Sequence, residues 1–192
     1  MKKLIVGISG ASGTIYGIRL LEVLRDLPDI ETHVVVSNSA RLTLSLETDH
    51  PPDVFETLAS TIYKPGDVAA SISSGSFTTV GMVVVPCSMK TLSGITNSYA
   101  DNLLTRAADV VLKERRKLVL VARETPLHLG HLRLMARVTE MGAIVMPPVP
   151  AFYHRPRTIQ DIVDSTISRI LDLLDIELDI ELVDRWQGSP RE

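Results

Sequence analysis

The stretch Gly7-Ile8-Ser9-Gly10-Ala11-Ser12-Gly13 lies between an apolar run, residues 3–6, and a segment of helical periodicity, residues 15–24. This order predicts a strand, a tight glycine turn and a helix. Such a turn directs backbone N–H groups and the positive end of a helix dipole into one small space. Glycine also lets a ligand approach the backbone closely. We therefore predict a phosphate-binding turn at the carboxyl end of the first strand of a parallel sheet.

The glycine spacing argues against a dinucleotide site. The dinucleotide fingerprint is G-x-G-x-x-G, followed about 20 residues later by an acid for the ribose hydroxyl. Here the glycines stand at 7, 10 and 13, and the second predicted strand ends in Ser37 and Asn38 rather than in Asp or Glu. A hydroxyl there suits a phosphate or a flavin. Two alternatives stay open: the glycines only pack the first helix on the sheet, or the protein is an NAD(P)-dependent oxidoreductase that lacks the usual acid.

Composition narrows the class of protein. The chain has 192 residues, of which 45% are hydrophobic and 22% charged, as in ordinary globular domains. Its net charge of −3 gives no reason to expect binding to nucleic acid or to an anionic membrane. The single cysteine, Cys87, excludes an intramolecular disulfide framework and fits a reducing compartment. We see neither a signal-peptide pattern nor an apolar run near the ~20 residues of a membrane span, and expect a cytoplasmic protein.

Strands and helices alternate along the chain. The predicted strands are 3–8, 31–37, 82–85, 118–121 and 143–146. The predicted helices are 14–26, 38–48 with Ser39 as a possible N-cap, a short one from Pro52 to about Ser60, 103–115, 127–141, and a last one capped by Thr158. Residues 61–79 are the least regular part. This order predicts the α/β class, with a Rossmann-like or flavodoxin-like parallel sheet covered by helices on both faces. We expect a single domain, 1–192, with a C-terminal tail from about residue 175.

Ligands of such sheets bind beyond the carboxyl ends of the strands. Those ends carry hydroxyls, basic groups and a carboxylate, which suit a phosphorylated ligand. Arg106, Lys113 and Arg123 are candidates for a phosphate clamp, because Arg binds phosphate with two hydrogen bonds and Lys as a point charge. Arg106 and Lys113 are seven residues apart. From spacing alone, an ordinary solvated helix face is the simpler interpretation of that pair.

Other candidate residues also have structural alternatives. Glu124 could act as a general acid or base, or could fix its loop through an ion pair. His128 and His131 lack a third ligand at a suitable spacing, so we predict no metal site. We interpret Cys87 as a buried structural residue, and the acidic run 172–181 as a solvated helix end.

Eight segments, in order and spread over nearly the whole chain, resemble those of the flavin prenyltransferase family, the UbiX-type enzymes. They are 6–13, 46–49, 71–77, 86–92, 106–115, 121–127, 150–156 and 185–186. The resemblance implies a metal-independent enzyme that joins the dimethylallyl group of dimethylallyl monophosphate to N5 and then C6 of reduced FMN. The prenylated FMN would serve as the cofactor of a UbiD-type decarboxylase, in quinone synthesis or phenolic acid breakdown. The resemblance also implies a homo-dodecamer.

The same resemblance gives roles to individual residues. Those that contact the flavin are Gly10, Ala11, Ser12, Ser37, Ser88, Met89, Lys90, Thr91 and Arg123. Those that bind the prenyl donor are Arg106, Lys113, Arg123, Tyr153, Arg169 and Trp186. Those that serve in catalysis are Ser12, Glu47, Lys113 and Glu124.

The chemistry of the implied reaction agrees with these residue types. A monophosphate is a poor leaving group, so the charge that develops on it needs several preorganised cations. Trp186 and Tyr153 offer aromatic faces to a departing allylic cation. Two flavin-dependent alternatives remain: a cysteine-type decarboxylase, and a non-catalytic FMN-binding subunit of an aromatic acid decarboxylase.

Overall fold

The sheet is formed by six parallel strands in the order β3-β2-β1-β4-β5-β6. The structure, a computed structural model, describes residues 1–178, 181–184 and 188. Its strands are β1 Lys2–Ile8, β2 Ile30–Val36, β3 Thr61–Tyr63, β4 Gly81–Cys87, β5 Lys117–Ala122 and β6 Ile144–Val145. Its helices are α1 Thr14–Arg25, α2 Asn38–Glu47, α3 Val54–Leu58, α4 Met89–Thr96, α5 Leu103–Lys113, α6 Leu129–Glu140 and α7 Ile159–Leu173.

Central strands of this sheet are buried on both faces, which explains their continuous apolar sequences. In the register of β1, Val6 lies between Val34 of β2 and Val83 of β4. These valines belong to one core layer, which packs against α1, α2, α3 and α7, while the other face packs against α4, α5 and α6. The predicted α/β class with helices on both faces is confirmed. The tail boundary near residue 175 stays a prediction.

Helix ends follow the local sequence closely. Thr158 caps α7 in a capping box with Asp161, as the sequence predicts. Gly142, which follows α6, has φ of 104°, and its N–H donates to Thr139 O at 2.9 Å, so the chain reverses there without a Cβ penalty.

Two sequence predictions need correction. Ser37, not Ser39, is the N-cap of α2. The irregular segment 61–79 contributes the edge strand β3 and a 3₁₀ turn, Ser71–Ser73. Tyr63 of β3 hydrogen bonds through its hydroxyl to His33 Nδ1 at 2.9 Å and to Ser71 Oγ at 3.0 Å. This segment is therefore tied to the sheet rather than looping freely over it.

Among the helices of the described residues, none has the length and apolar character needed to cross a membrane.

Candidate active site

A cleft opens at the carboxyl edge of the sheet, between the loops that follow β1 and β4. From β1 the chain builds the sheet outward in one direction, and from β4 in the other. The place between β1 and β4 at the carboxyl edge is therefore the switch point, where open α/β sheets bind ligands. The cleft has a volume of about 940 Å³, which is within the range of small-molecule sites. Its lining includes Gly10, Ser37, Ser39, Ser88, Lys90 and Thr91.

The glycine turn after β1 is fixed by a carboxylate. Gly13 has φ of 103°, a left-handed conformation that favours glycine. Glu47, the last residue of α2, accepts hydrogen bonds at its Oε2 from the backbone N–H of Gly13 at 2.9 Å and of Thr14 at 3.3 Å. A carboxylate is stabilised at a helix N-terminus by the helix dipole. Two of the turn amides that the sequence predicts to bind phosphate are thus used by Glu47.

Two other helices begin at the cleft with the same local structure. Ser37 caps α2 by accepting from Ala40 N at 3.1 Å, and Ser88 caps α4 by accepting from Thr91 N at 3.3 Å. Each cap uses only one of the first amides of its helix. The positive ends of two helix dipoles, together with Lys90 on α4, make this side of the cleft favourable for an anion.

Arg123 and Glu124 follow β5 at the same edge of the sheet. Arg123 N donates to Cys87 O at 3.1 Å, which extends the β4–β5 pairing to the border of the cleft. Glu124 Oε1 accepts from Thr125 N at 3.0 Å. Both residues are exposed. Within the described part of the chain no ion pair involves Glu124, so its carboxylate bonds its own loop through the backbone rather than through Arg123.

The structure brings Tyr153 and Arg169 together in a second cleft, of about 400 Å³, between the segment after β6 and α7. Arg169 Nη1 lies 3.4 Å from Asp172 Oδ2. The Tyr153 ring lies against His154, with 3.9 Å between the ring centroids. A guanidinium and a phenol that line the same cleft are suitable donors for an oxyanion.

Arg106 and Lys113 lie on α5, outside both clefts. Arg106 Nε donates to Ser73 O at 3.3 Å, and its Nη1 donates to Asp109 Oδ2 at 3.0 Å. Lys113, the last residue of α5, forms a salt bridge with Glu114. In this chain, both cations therefore already have protein partners.

Lys113 lies at the amino-terminal ends of the parallel strands, whereas the switch-point cleft lies at their carboxyl ends. After α5 the chain enters β5 at Lys117 and reaches Arg123 only beyond the end of that strand. The six steps from Lys117 to Arg123 cover about 20 Å at ~3.3 Å per residue. One phosphate group cannot contact Lys113 and Arg123 of the same chain. Trp186, another predicted substrate-binding residue, lies outside the described residues.

The thiol and the histidines behave as structural groups. Complete burial raises the pKa of the Cys87 thiol to about 12, so it is not an activated nucleophile. His128 caps α6, its Nδ1 accepting from Gly130 N at 3.0 Å, and its ring lies against that of His131. Over the described ranges, no group of three or more His, Cys, Asp or Glu side chains is arranged to hold a metal. Metal independence itself stays a prediction.

Sequence reasoning missed one wall of the cleft. The lining continues from α4 to Asn97, Tyr99 and Asn102, in the connection to α5. The available signal was its position: a polar break between two short helices returns the chain to the edge of the sheet at which α4 began.

A parallel sheet with an anion-favouring polar cleft at its switch point defines a class, the mononucleotide- and flavin-binding α/β proteins. The Flavoprotein family model matches residues 1–171. The chain is 65% identical to flavin prenyltransferase UbiX of Escherichia coli (strain K12), over 98% of this chain and 100% of that protein. The chain therefore belongs to the flavoprotein family and, within it, to the UbiX flavin prenyltransferases.

Two solved structures have the same fold. AnUbiX (PadA1), in complex with FMN and dimethylallyl pyrophosphate, superimposes with a TM-score of 0.94 at 49% identity and covers 98% of each chain. A dodecameric FMN-dependent UbiX-like decarboxylase from Escherichia coli O157:H7 superimposes with a TM-score of 0.93 at 52% identity, over 97% of this chain and 100% of that one. The agreement in fold thus extends over nearly the whole chain.

Proposed function

We propose that this protein transfers the dimethylallyl group of dimethylallyl monophosphate to reduced FMN and so makes prenylated FMN. The observation that carries the proposal is the switch-point cleft with two serine-capped helix N-termini, in a chain of this family. Reduced FMN, when bound, supplies the nucleophilic ring atoms N5 and C6. All other parts of the mechanism are contributions of the protein's own residues.

The residues of the cleft fit FMN. The N-termini of α2 and α4, capped by Ser37 and Ser88, offer amides and positive dipole ends to its phosphate. Gly10 lines the cleft without a side chain that would keep a ligand away from the turn after β1, and the exposed Arg123 would offer hydrogen-bond donors to the flavin. The cleft lining supports the predicted flavin contacts of Gly10, Ser37, Ser88, Lys90 and Thr91. The contacts of Ala11, Ser12, Met89 and Arg123 are proposed from the family resemblance.

Departure of the donor phosphate requires positive charge that is already in place, because a monophosphate leaves with developing negative charge. Arg169 with Tyr153 supplies one donor pair, and Arg123 a second cation. Lys113, with Arg106 near it, is the further cation that the family resemblance implies. We infer that these side chains perform the task that a metal ion performs in other prenyl transfers.

We infer that Lys113 reaches the donor phosphate from a neighbouring protomer. Within one chain it lies on the sheet edge opposite Arg123, so a shared site requires at least two copies. The expected homo-dodecamer supplies such copies, and a relative of the same fold is dodecameric. Lys113 would then exchange its salt bridge with Glu114 for the phosphate of the adjacent site.

Proton transfer is the proposed task of Glu124 and Ser12. Ring closure at C6 releases a proton, which the retained phosphate can accept. Glu124 is exposed at the border of the cleft, and Ser12 belongs to the turn after β1, so both can relay protons at this edge. Glu47 holds the same turn through Gly13 and so positions Ser12.

The product is proposed to pass to a UbiD-type decarboxylase in the cytoplasm. The donor is proposed to be the monophosphate, although AnUbiX was solved with the pyrophosphate. A second candidate function, an FMN-dependent decarboxylase, is favoured by the description of one relative of 52% identity. That candidate needs no prenyl donor, so donor consumption separates the two.

Mixed oligomers test the shared site. Lys113→Ala alone should not transfer the prenyl group, and Glu124→Gln alone should stall after attachment to N5, so neither variant should make the ring-closed product. Co-expressed in equal amounts, they should regain about a quarter of the wild-type yield of ring-closed product, because random assembly gives that share of sites both intact residues. Lys117→Ala, a lysine at the same sheet edge that pairs with Asp175, is the matched control and should stay active. Mixed oligomers without activity would show that the two residues do not complement each other across protomers.

A further inference from the structure

Ser9, the residue that follows β1, is joined by both its backbone and its side chain to residues 86–88, at the end of β4. It is 1% exposed. Its Oγ donates to Pro86 O at 3.0 Å and accepts from Ser88 N at 2.8 Å. Its backbone N–H donates to the same Pro86 carbonyl at 3.2 Å. Such short bonds at a buried site fix the relative position of the two loops.

The backbone pairing of β1 with β4 does not fix the relative position of these two segments. Pairing between β1 and β4 covers residues 4–7 and 81–84, and stops before the cleft. On its other side, β4 pairs irregularly with β5 between Val84 and Cys87. Among the described residues, the hydrogen bonds that join residues 9–13 to residues 86–91, where β4 ends and α4 begins, all involve Ser9. Ser9 therefore provides the hydrogen bonds between the two segments beyond the end of the β1–β4 pairing.

Both walls of the cleft begin at this contact. Gly10, on one wall, is the next residue along the chain. Ser88, on the other wall, has its Oγ 3.3 Å from that of Ser9, and this Oγ also caps α4 and donates to Thr91 Oγ1 at 3.1 Å. Any change in the Ser9 contact is thus passed to the turn after β1 and to the N-terminus of α4 together.

We propose that Ser9 is a positioning residue for the flavin, which sets the distance between the turn after β1 and the N-terminus of α4. It does not line the cleft and acts through Gly10 and Ser88. Without the hydroxyl, Ser88 N loses its acceptor at a partly buried position, and α4 must shift to satisfy it. The inference rests on FMN binding in the proposed function and is independent of prenyl transfer.

The chain contains a matched control for the loss of such a hydroxyl. Ser60 Oγ accepts from Thr32 N at 3.1 Å, and Ser60 N donates to Thr32 Oγ1 at 2.9 Å. This contact joins the beginning of β2 to the residue before β3, at the edge of the sheet away from the cleft. Ser60→Ala therefore removes a comparable link between backbone segments without touching the flavin site.

The test is to titrate the full-length apoprotein with FMN, once under air and once anaerobically. Binding is monitored by flavin fluorescence and by the visible circular dichroism of the bound flavin. For Ser9→Ala we expect an affinity loss of about tenfold, the effect of one partly buried donor left unpaired, and an altered flavin dichroism band. Ser60→Ala should keep its FMN affinity within about twofold. Thermal unfolding of both apoproteins shows whether the two losses of stability are alike.

Ser9→Thr and Ser9→Val form a second pair, needed if Ser9→Ala does not fold. The two side chains have nearly the same shape, and only threonine keeps the hydroxyl, so threonine should bind FMN more tightly by about tenfold. Equal affinities in this pair, or an unchanged affinity in Ser9→Ala, would overturn the proposal while leaving FMN binding intact. Absence of FMN binding by the wild type would overturn both the positioning role and the proposed function.

Discussion

Gly10→Ala is the substitution whose effect the structure defines most closely. A Cβ at Gly10 would lie 2.3 Å from Ser39 Cβ and 3.2 Å from the Ser39 carbonyl carbon. Non-bonded carbon atoms settle at about 3.5–4.0 Å. The turn after β1 and the first turn of α2 would therefore have to move apart by about 1.2–1.7 Å. Gly10 is not among the glycines with positive φ, so the cost is steric and not conformational.

The magnitude follows from the kind of atoms involved. Overpacking costs about 1–3 kcal/mol, and the upper part of that range applies because the clash involves atoms attached directly to two backbones. For a chain of this length, a loss of about 2–3 kcal/mol lowers Tm by about 4–12 °C. Gly10, Ser37 and Ser39 all line the switch-point cleft, so the same movement widens the cleft and, if FMN binds there as proposed, should weaken its binding.

A double-mutant cycle measures this clash directly. Ser39→Gly removes the contacted Cβ, and its own cost is a few tenths of a kcal/mol for glycine in a helix. We expect Gly10→Ala combined with Ser39→Gly to recover more than ~1 kcal/mol relative to additivity, measured by thermal and urea unfolding. Gly66→Ala is the control, because no atom lies within 4 Å of a Cβ there. A Gly10→Ala variant with wild-type Tm and FMN affinity would refute the reasoning, as would strictly additive losses.

Three further predictions concern single side chains. Glu47→Gln keeps an acceptor for the turn amides, so it should retain the wild-type Tm in calorimetry but slow turnover in stopped-flow spectroscopy. Glu47→Ala should slow turnover and also lower the free energy of unfolding by about 1 kcal/mol. Equal Tm values for the two variants would contradict the capping role of Glu47. Because burial raises the pKa of Cys87 to about 12, the native protein should not react with a disulfide reagent at pH 8, and the urea-unfolded protein should. Burial lowers the pKa of His33 below its ordinary value. As the pH drops below about 6.5, the unfolded chain takes up the proton first, so the free energy of unfolding should fall. His33→Asn should flatten this pH dependence in unfolding curves, and an unchanged slope would exclude His33 as its source.

The fold could be predicted well where one residue pattern dominates. The turn after β1 and the buried strands β4 and β5 follow from glycine chemistry and continuous apolar runs. The edge strand β3 could not be predicted, because it has three half-buried residues and is followed by Lys64-Pro65-Gly66, which reads as a loop. Its place is decided by pairing with β2 and by the Tyr63–His33 hydrogen bond, both of which are long-range.

The candidate site could be predicted only as a set of strand ends. That rule correctly placed the serines after β2 and β4 at one edge of the sheet. It could not choose between the neighbouring Ser37 and Ser39 as helix cap. Nor could it show that Glu47 returns to the turn after β1, because that contact depends on how α2 packs. The position of Lys113 at the far edge likewise depends on the direction of α5 in the folded sheet.

Anaerobic incubation of the wild type with reduced FMN and dimethylallyl monophosphate, without added metal, tests the central claim most directly. Mass spectrometry of the extracted flavin should show FMN heavier by one five-carbon prenyl unit. The same incubation with the Lys113→Ala variant should show unmodified FMN. Flavin that is bound but unmodified by the wild type would contradict prenyl transfer and would favour an FMN-dependent decarboxylase or an FMN-binding subunit.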